Sequence, residues 1–265
     1  MAYVDLTTRD VNVLDKIRDP ESNPAAALVL DERLPRDPQI TDPDVYDQVS
    51  NRERSIILKI QTLERELSTP GAQDGAEDSI SGYKQCIKEF DALIDEYPNY
   101  ASARNNRAQI MRRLYGDAML LNFTTGIPMP LIDEPEQAEK VASAAKALSD
   151  LDTSITLLTP PSFASSMSPT AAKTLSMAYT QRAAIYLKTS KLILDRKLDI
   201  DSSRQEAQWT KVRFEEAASH DLALGGRFGN NIAKGLAVSV NPTAKLCGQI
   251  VRQAMKEEYG PGFSE

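Results

Sequence analysis

The stretch Cys86-Ile87-Lys88-Glu89-Phe90-Asp91-Ala92-Leu93-Ile94-Asp95-Glu96-Tyr97-Pro98 runs directly into Asn99-Tyr100-Ala101. Ile80, Tyr83, Ile87, Phe90 and Ile94 recur at a helical period, so residues 79–96 read as one amphipathic helix. Cys86 is small enough to let a second helix approach, and Phe90 is large enough to fill the space between the two. Pro98 stops the helix, because proline lacks the backbone donor and its ring clashes with the preceding turn. A further helix follows at once over residues 100–115, with Arg107-Ala108 and Met111 at its contact positions. Gly116 then stands where a tight turn is needed. Small residue, large residue, proline, new helix: this is the signature of stacked helix hairpins.

The pattern extends in both directions. Towards the C-terminus, residues 135–158 form a helix with Ala147, Leu151 and Ser154 at contact positions. Pro160, Pro161 and a run of serines make a linker, and a long helix covers residues 171–194. Its Gln181-Arg182-Ala183-Ala184-Ile185 parallels Asn106-Arg107-Ala108-Gln109-Ile110. Residues 204–218 supply the next helix, with Phe214 and Ala217 at its contacts, and Gly225-Gly226 punctuates the chain. A short helix is expected over 228–238, then Asn241-Pro242 opens a last one. Asparagine caps free N–H groups and proline is pre-set for the first helical position. Leu246, Cys247, Ile250, Val251, Ala254 and Met255 stripe that helix.

Towards the N-terminus, residues 45–68 carry Val49, Ile56, Ile57, Ile60, Leu63 and Leu67 at helical spacing. Residues 10–18 read as a short helix, and five prolines between 20 and 43 exclude a long one there. Ala25 to Leu30 is apolar and is expected to lie on the folded body. The expected fold class is all-α: three expanded hairpins at about 45–98, 99–159 and 169–222, capping helices at 228–258, an irregular packed segment at 1–44 and a tail at 259–265.

Composition narrows the function classes. The formal net charge of −7 argues against a nucleic-acid binder, which carries a basic surface. No apolar run approaches the ~20 residues of a membrane span. The N-terminus lacks the basic-then-apolar pattern of a secretory leader, so a cytoplasmic or nucleocytoplasmic location is expected. Two cysteines, Cys86 and Cys247, sit in amphipathic stretches and read as reduced core residues. His220 is the only base available to a nucleophilic triad, and beside Gly225-Gly226 it reads as a helix-end residue. Asp199-Ile200-Asp201 begins like a calcium loop, but Arg204 and Thr210 stand where glycine and glutamate are needed. No catalytic set, metal site or cofactor motif is visible, and the expectation is a protein-binding adaptor rather than an enzyme.

Small-large-proline spacing is that of tetratricopeptide repeats, although Arg107 and Arg182 stand 75 residues apart, against the usual ~34. The segment 100–109 with Gly116-Asp117, the tail Val240-Asn241-Pro242-Thr243-Ala244-Lys245-Leu246-Cys247 and the opening Val13-Leu14-Asp15-Lys16-Ile17-Arg18-Asp19-Pro20 together resemble the tetratricopeptide repeat protein 36 family. That resemblance implies a right-handed superhelix, no catalysis and a protein-binding role. It also implies a link to seventy-kilodalton heat-shock chaperones and to the regulation of tyrosine catabolism; the alternative to an adaptor is a regulatory or stabilising partner of a metabolic enzyme in that catabolism.

Some tetratricopeptide grooves hold a partner's terminal carboxylate with charge-assisted hydrogen bonds. In register those positions are Lys59, Leu63, Asn106, Met177 and Gln181. Leucine and methionine cannot hold a carboxylate, so that clamp is not expected. The candidate groove residues are Lys59, Asn105, Asn106, Gln109, Arg112, Arg113, Gln181 and Lys188, with Asn106, Gln109 and Arg113 placed to bond an extended or acidic segment.

Overall fold

The computed structural model describes residues 28–68, 76–122, 130–162 and 165–259. The expected helix at 10–18 lies outside them. Among the described residues the chain is all-α, with eight α-helices and only isolated β-bridges. The helices are α1 Pro43–Leu67, α2 Ala76–Glu96, α3 Ala101–Tyr115 and α4 Gln137–Leu158. They continue with α5 Pro169–Leu192, α6 Lys211–Arg227, α7 Asn231–Val240 and α8 Pro242–Tyr259. Each helix packs on the next in the chain, and α3 also touches α5. Side-chain caps start five of them. Asp42, Ser168, Thr210, Asn230 and Asn241 each accept from backbone N–H groups of the first turn, at α1, α5, α6, α7 and α8 respectively.

One polar device recurs in all three hairpins. In the second, Arg107 of α3 makes a side-on pair with Asp150 of α4, at 2.7 and 2.6 Å. Its remaining Nη1 donates backwards to Asp91 of α2 at 2.5 Å. In the third, Arg182 of α5 makes the same side-on pair with Asp221 of α6, at 2.7 and 2.8 Å, and its Nη1 donates backwards to Asp152 of α4 at 2.8 Å. In the first, Lys59 of α1 donates to Glu89 of α2 at 2.7 Å. The acids obey one rule. Glu89 and Asp150 serve their own hairpin, and the acids two positions on, Asp91 and Asp152, serve the next. Each rung therefore ties its hairpin together, and the two arginine rungs also staple theirs to the one before.

The rungs give the register directly. Six residues before each arginine, Ala101 and Ser176 meet a small residue of the following helix: Ser154 Oγ donates to the Ala101 carbonyl and Ser176 Oγ to that of Gly225. Counting from Asp150, the contact positions of α4 are Ala147, Leu151 and Ser154, as expected. Counting from Asp221, those of α6 are Ala218, Leu222 and Gly225, not Phe214 and Ala217. Phe214 is buried instead against Tyr186 and Trp209, and that aromatic cluster also gives Trp209 its packing role.

This corrects the third hairpin. The helix expected over 204–218 is shifted: a 3-10 turn, Gln205–Gln208, precedes α6, which begins only at Lys211 and runs on through both glycines. Those glycines allow close approach rather than a turn. A Cβ at Gly225 would lie 2.7 Å from Thr180 Oγ1, and one at Gly226 would lie 2.7 Å from the Lys234 Cα. The turn falls at Gly229, with φ +114. His220 is consequently mid-helix and not at a helix end. Cys86 is buried as expected, but Cys247 is exposed, because α8 leaves the body with Leu246, Ile250 and Val251 all uncovered.

The described part of the N-terminal segment, 28–42, packs on the body as a strap. Leu28 and Ile40 join the core. The strap pairs with the start of α5, Asp31 N donating to the Met167 carbonyl and Met167 N to that of Val29. Asp37 is buried and accepts from the Ala101 N–H, capping α3, whose own cap residue Tyr100 makes no side-chain capping bond. Ser168 Oγ, which caps α5, donates to the Arg36 carbonyl. The strap thus bridges the N-termini of two successive hairpins. The expanded loops also join each other: Asn122 N donates to the Lys197 carbonyl and Asp199 N to that of Leu120. Buried Lys140 pins this junction by pairing with Asp199 at 2.8 Å.

Candidate partner-binding cleft

The first helices of the three hairpins, α1, α3 and α5, line one cleft of about 810 Å³. Its apolar part is Ile57, Ile60, Ile110, Met177 and Tyr83. The polar part is Gln61, Asn106, Gln109 and the charged groups Glu64, Arg112, Arg113, Asp117, Lys173 and Lys188. None of the strap residues 28–42 lines it.

Most of the charge is internally matched. Arg112 Nε donates to Asp117 at 2.7 Å, and its Nη1 donates to Gln181 Oε1 at 3.1 Å. Arg113 Nε donates to Glu64 at 2.8 Å, tying α3 to α1. Burial works to raise the Glu64 carboxyl, but the hydrogen-bonded Arg113 and the neighbouring Tyr83 hydroxyl outweigh it and hold Glu64 below its ordinary value. Burial, then the neighbouring Glu64, pushes the Tyr83 hydroxyl well above the usual tyrosine range, so it stays protonated as a donor. Lys173 and Lys188 have no partner among the described residues. The cleft therefore carries two uncompensated positive charges in a chain of net charge −7.

No family profile and no solved structure matches the chain. A relative does: the "L-tyrosine degradation gene cluster protein hmgX" of Aspergillus fumigatus is 35% identical over 261 residues, covering 96% of this chain and 93% of the relative. The chain belongs to the hmgX family.

In this member of the hmgX family the structure sorts the eight sequence candidates into two groups. Asn106, Gln109, Arg112, Arg113 and Lys188 line the cleft. Lys59, Asn105 and Gln181 do not. Lys59 is the rung of the first hairpin, turned towards Glu89 on α2. Asn105 and Gln181 are buried against each other, Gln181 Nε2 donating to Asn105 Oδ1 at 2.8 Å, and act as a joint between α3 and α5. The groove register on α1 is displaced by two residues: Ile57 and Gln61 occupy the wall where Lys59 and Leu63 were expected. Leu63 instead packs towards α2 at Gly82. With Ile57, Gln61, Asn106 and Met177 in place, the wall offers no carboxylate clamp.

Gln61 and Lys173 were missed. Lys173 is one turn before Met177, so stepping back four residues from that groove position would have reached it. Asn106 is partly engaged, its Nδ2 donating to Glu53 Oε1 at 2.7 Å, with the Tyr100 hydroxyl donating to the other oxygen at 2.5 Å. Burial raises the Glu53 carboxyl above its ordinary value against these hydrogen bonds. His220 is exposed on α6, 3.8 Å from Asp221, which is already held by Arg182. Among the described residues no cluster of His, Cys, Asp and Glu could hold a metal ion, and no helix is long and apolar enough to cross a membrane.

Proposed function

We propose that this chain is a non-catalytic, tetratricopeptide-type protein that binds an enzyme of tyrosine breakdown and regulates or stabilises it. The observation that carries this is full-length similarity to a protein named for an L-tyrosine degradation gene cluster. The repeated rung supports the repeat-scaffold part of the reading, because such scaffolds are built by stacking one supersecondary unit on the next. The cleft on α1, α3 and α5 is the binding surface: it joins an apolar floor to side-chain amides and unmatched lysines, the mixture used to hold a polypeptide segment. The lack of a carboxylate clamp on its wall favours an enzyme partner over a chaperone tail.

Two measurements on the source organism test this. A deletion strain should grow poorly with tyrosine as sole nitrogen source and normally on ammonium. Tagged full-length chain, purified from tyrosine-grown cells, should retain an enzyme of that route. Normal growth on tyrosine together with no retained enzyme would overturn the proposal.

A further inference from the structure

We infer that the cleft is specific for an extended segment bearing two carboxylates about six or seven residues apart with apolar side chains between them. This rests on the reading of the cleft as the partner-binding surface. Lys173 and Lys188 both line the cleft and both lie on α5. Fifteen residues of helix set their backbones about 22 Å apart at 1.5 Å per residue. An extended chain advances roughly 3.3–3.6 Å per residue, so about six or seven residues join the two ammonium groups. Met177 lies between the lysines on α5, and Ile57, Ile60 and Ile110 supply the apolar lining of the cleft from the other two helices.

Charge points to acids. Arg112 is matched by Asp117 and Arg113 by Glu64, so both arginines are taken up in holding the wall itself. Among the described residues the two lysines alone remain unpaired in the charged lining, and two positive charges in an acidic protein select a negative occupant. The amides point to extended rather than helical backbone. Gln61 and Gln109 line the cleft, are exposed and make no hydrogen bond among the described residues. A side-chain amide both donates and accepts, which suits an extended backbone with open N–H and C=O groups. A helical occupant has already satisfied those groups internally.

The test uses purified full-length chain and fluorescein-labelled synthetic peptides, read by fluorescence anisotropy. The lead peptide has eight residues, aspartate at its first and seventh positions and leucine and valine in its centre. Replacing both aspartates with asparagine should weaken binding at least about tenfold, as expected for two charge-assisted contacts. Moving the second aspartate to the third position should weaken it by a similar factor. K173A and K188A should each lose the preference for the acid at one end, with helicity unchanged by circular dichroism. Equal binding of the acid and amide peptides, or tighter binding of a sixteen-residue helical peptide with terminal acids, would overturn the inference. The K173A/K188A double variant separates the two readings. If it still captures the tyrosine-route enzyme as well as the natural chain does, this inference fails while the proposed function stands. If the natural chain captures no such enzyme, the proposed function fails and the peptide series alone decides the specificity of the cleft.

Discussion

The first hairpin and the two that follow use the same rung with different chemistry. Arg107 and Asp150 leave 7% and 2% of their side chains exposed, and Arg182 and Asp221 leave 19% and 2%. Lys59 and Glu89 leave 55% and 26%. The inner rungs must reach two acids, one in their own hairpin and one behind. A guanidinium has a rigid fork and a spare donor for that task, and it is more weakly hydrated than an ammonium. No hairpin precedes Lys59 among the described residues, so one contact at the surface suffices. At the other end the forward acid is missing: Ala223 stands two residues after Asp221, and α7 follows instead of another hairpin. The contrast shows that position in the array, rather than the repeat itself, decides whether a rung is buried.

The strongest way to break that contrast is to remove an inner arginine. R107M leaves the almost fully buried Asp150 with only Arg104 at 3.3 Å, and R182M leaves the equally buried Asp221 with only exposed His220 at 3.8 Å; loss of one partner of a buried pair costs about 3–5 kcal/mol. Urea unfolding should show a large fall in midpoint for either variant. A midpoint within error of the natural chain would mean that the rungs are decoration. Next in size is Gly225, the small contact of the third hairpin. G225V places a side chain against Thr180 Oγ1 and, at 3.3 Å, the Ser176 carbonyl. Overpacking of that kind costs about 1–3 kcal/mol. Gly235 on α7 has nothing within 4 Å of a Cβ, so G235A should instead hold or raise the melting temperature.

Much of this architecture was legible in the sequence where period and punctuation agree. Phe90, Pro98 and Gly116 placed the boundaries of α2 and α3 to within a few residues, and Asn241-Pro242 placed the start of α8. The third hairpin was misread because Gly225-Gly226 looks like a turn along the chain, whereas its cause is the close approach of Ser176, Thr180 and Lys234 from other helices. The cleft was half legible. Asn106, Gln109, Arg112, Arg113 and Lys188 follow from helical register. Lys59 did not belong, because a charged residue on an exposed helix can face either neighbour, and only Glu89 on α2 decides which. The arginine pairs were invisible for a similar reason: Arg107 and Asp150 are 43 residues apart, across a loop of no fixed repeat length.

Smaller effects sharpen the comparison at the helix starts. The third hairpin caps itself with Ser168, but the second takes its cap from Asp37 on the strap. D37A should cost about 1 kcal/mol, the usual worth of a cap. It should also speed proteolysis before Pro43; unchanged cleavage would detach the strap from the cap. At the first hairpin, Glu53 holds the position filled by Ala101 and Ser176 in the others. Burial raises its pKa, so its contribution to stability is greatest below its unfolded value and is lost as pH rises through the folded one. The natural chain should therefore gain stability relative to E53Q as pH falls from neutral towards 4.5, the ordinary glutamate value. Asp37 shifts the same way through burial, with Glu53 adding to it; Tyr46 stands near both groups, Tyr100 beside Glu53, and Arg36 over the Tyr46 ring. Parallel pH profiles of the two proteins would contradict the assignment.

The smallest expected effect is the most demanding of the rung comparison. K59M removes the same register position as R107M, yet the melting temperature should hardly move. Lys59 is solvated in the folded chain, its partner Glu89 is already partly in water, and exposed pairs give back most of their attraction in desolvation and side-chain ordering. The hydrogen bond to Glu89 raises the Lys59 pKa, but this only keeps charged a group that is charged anyway at neutral pH. A large loss in K59M, comparable to that of R107M, would show that the first rung carries load despite its exposure. The gradient of burial from the first hairpin inward would then not be what sets the strength of each rung.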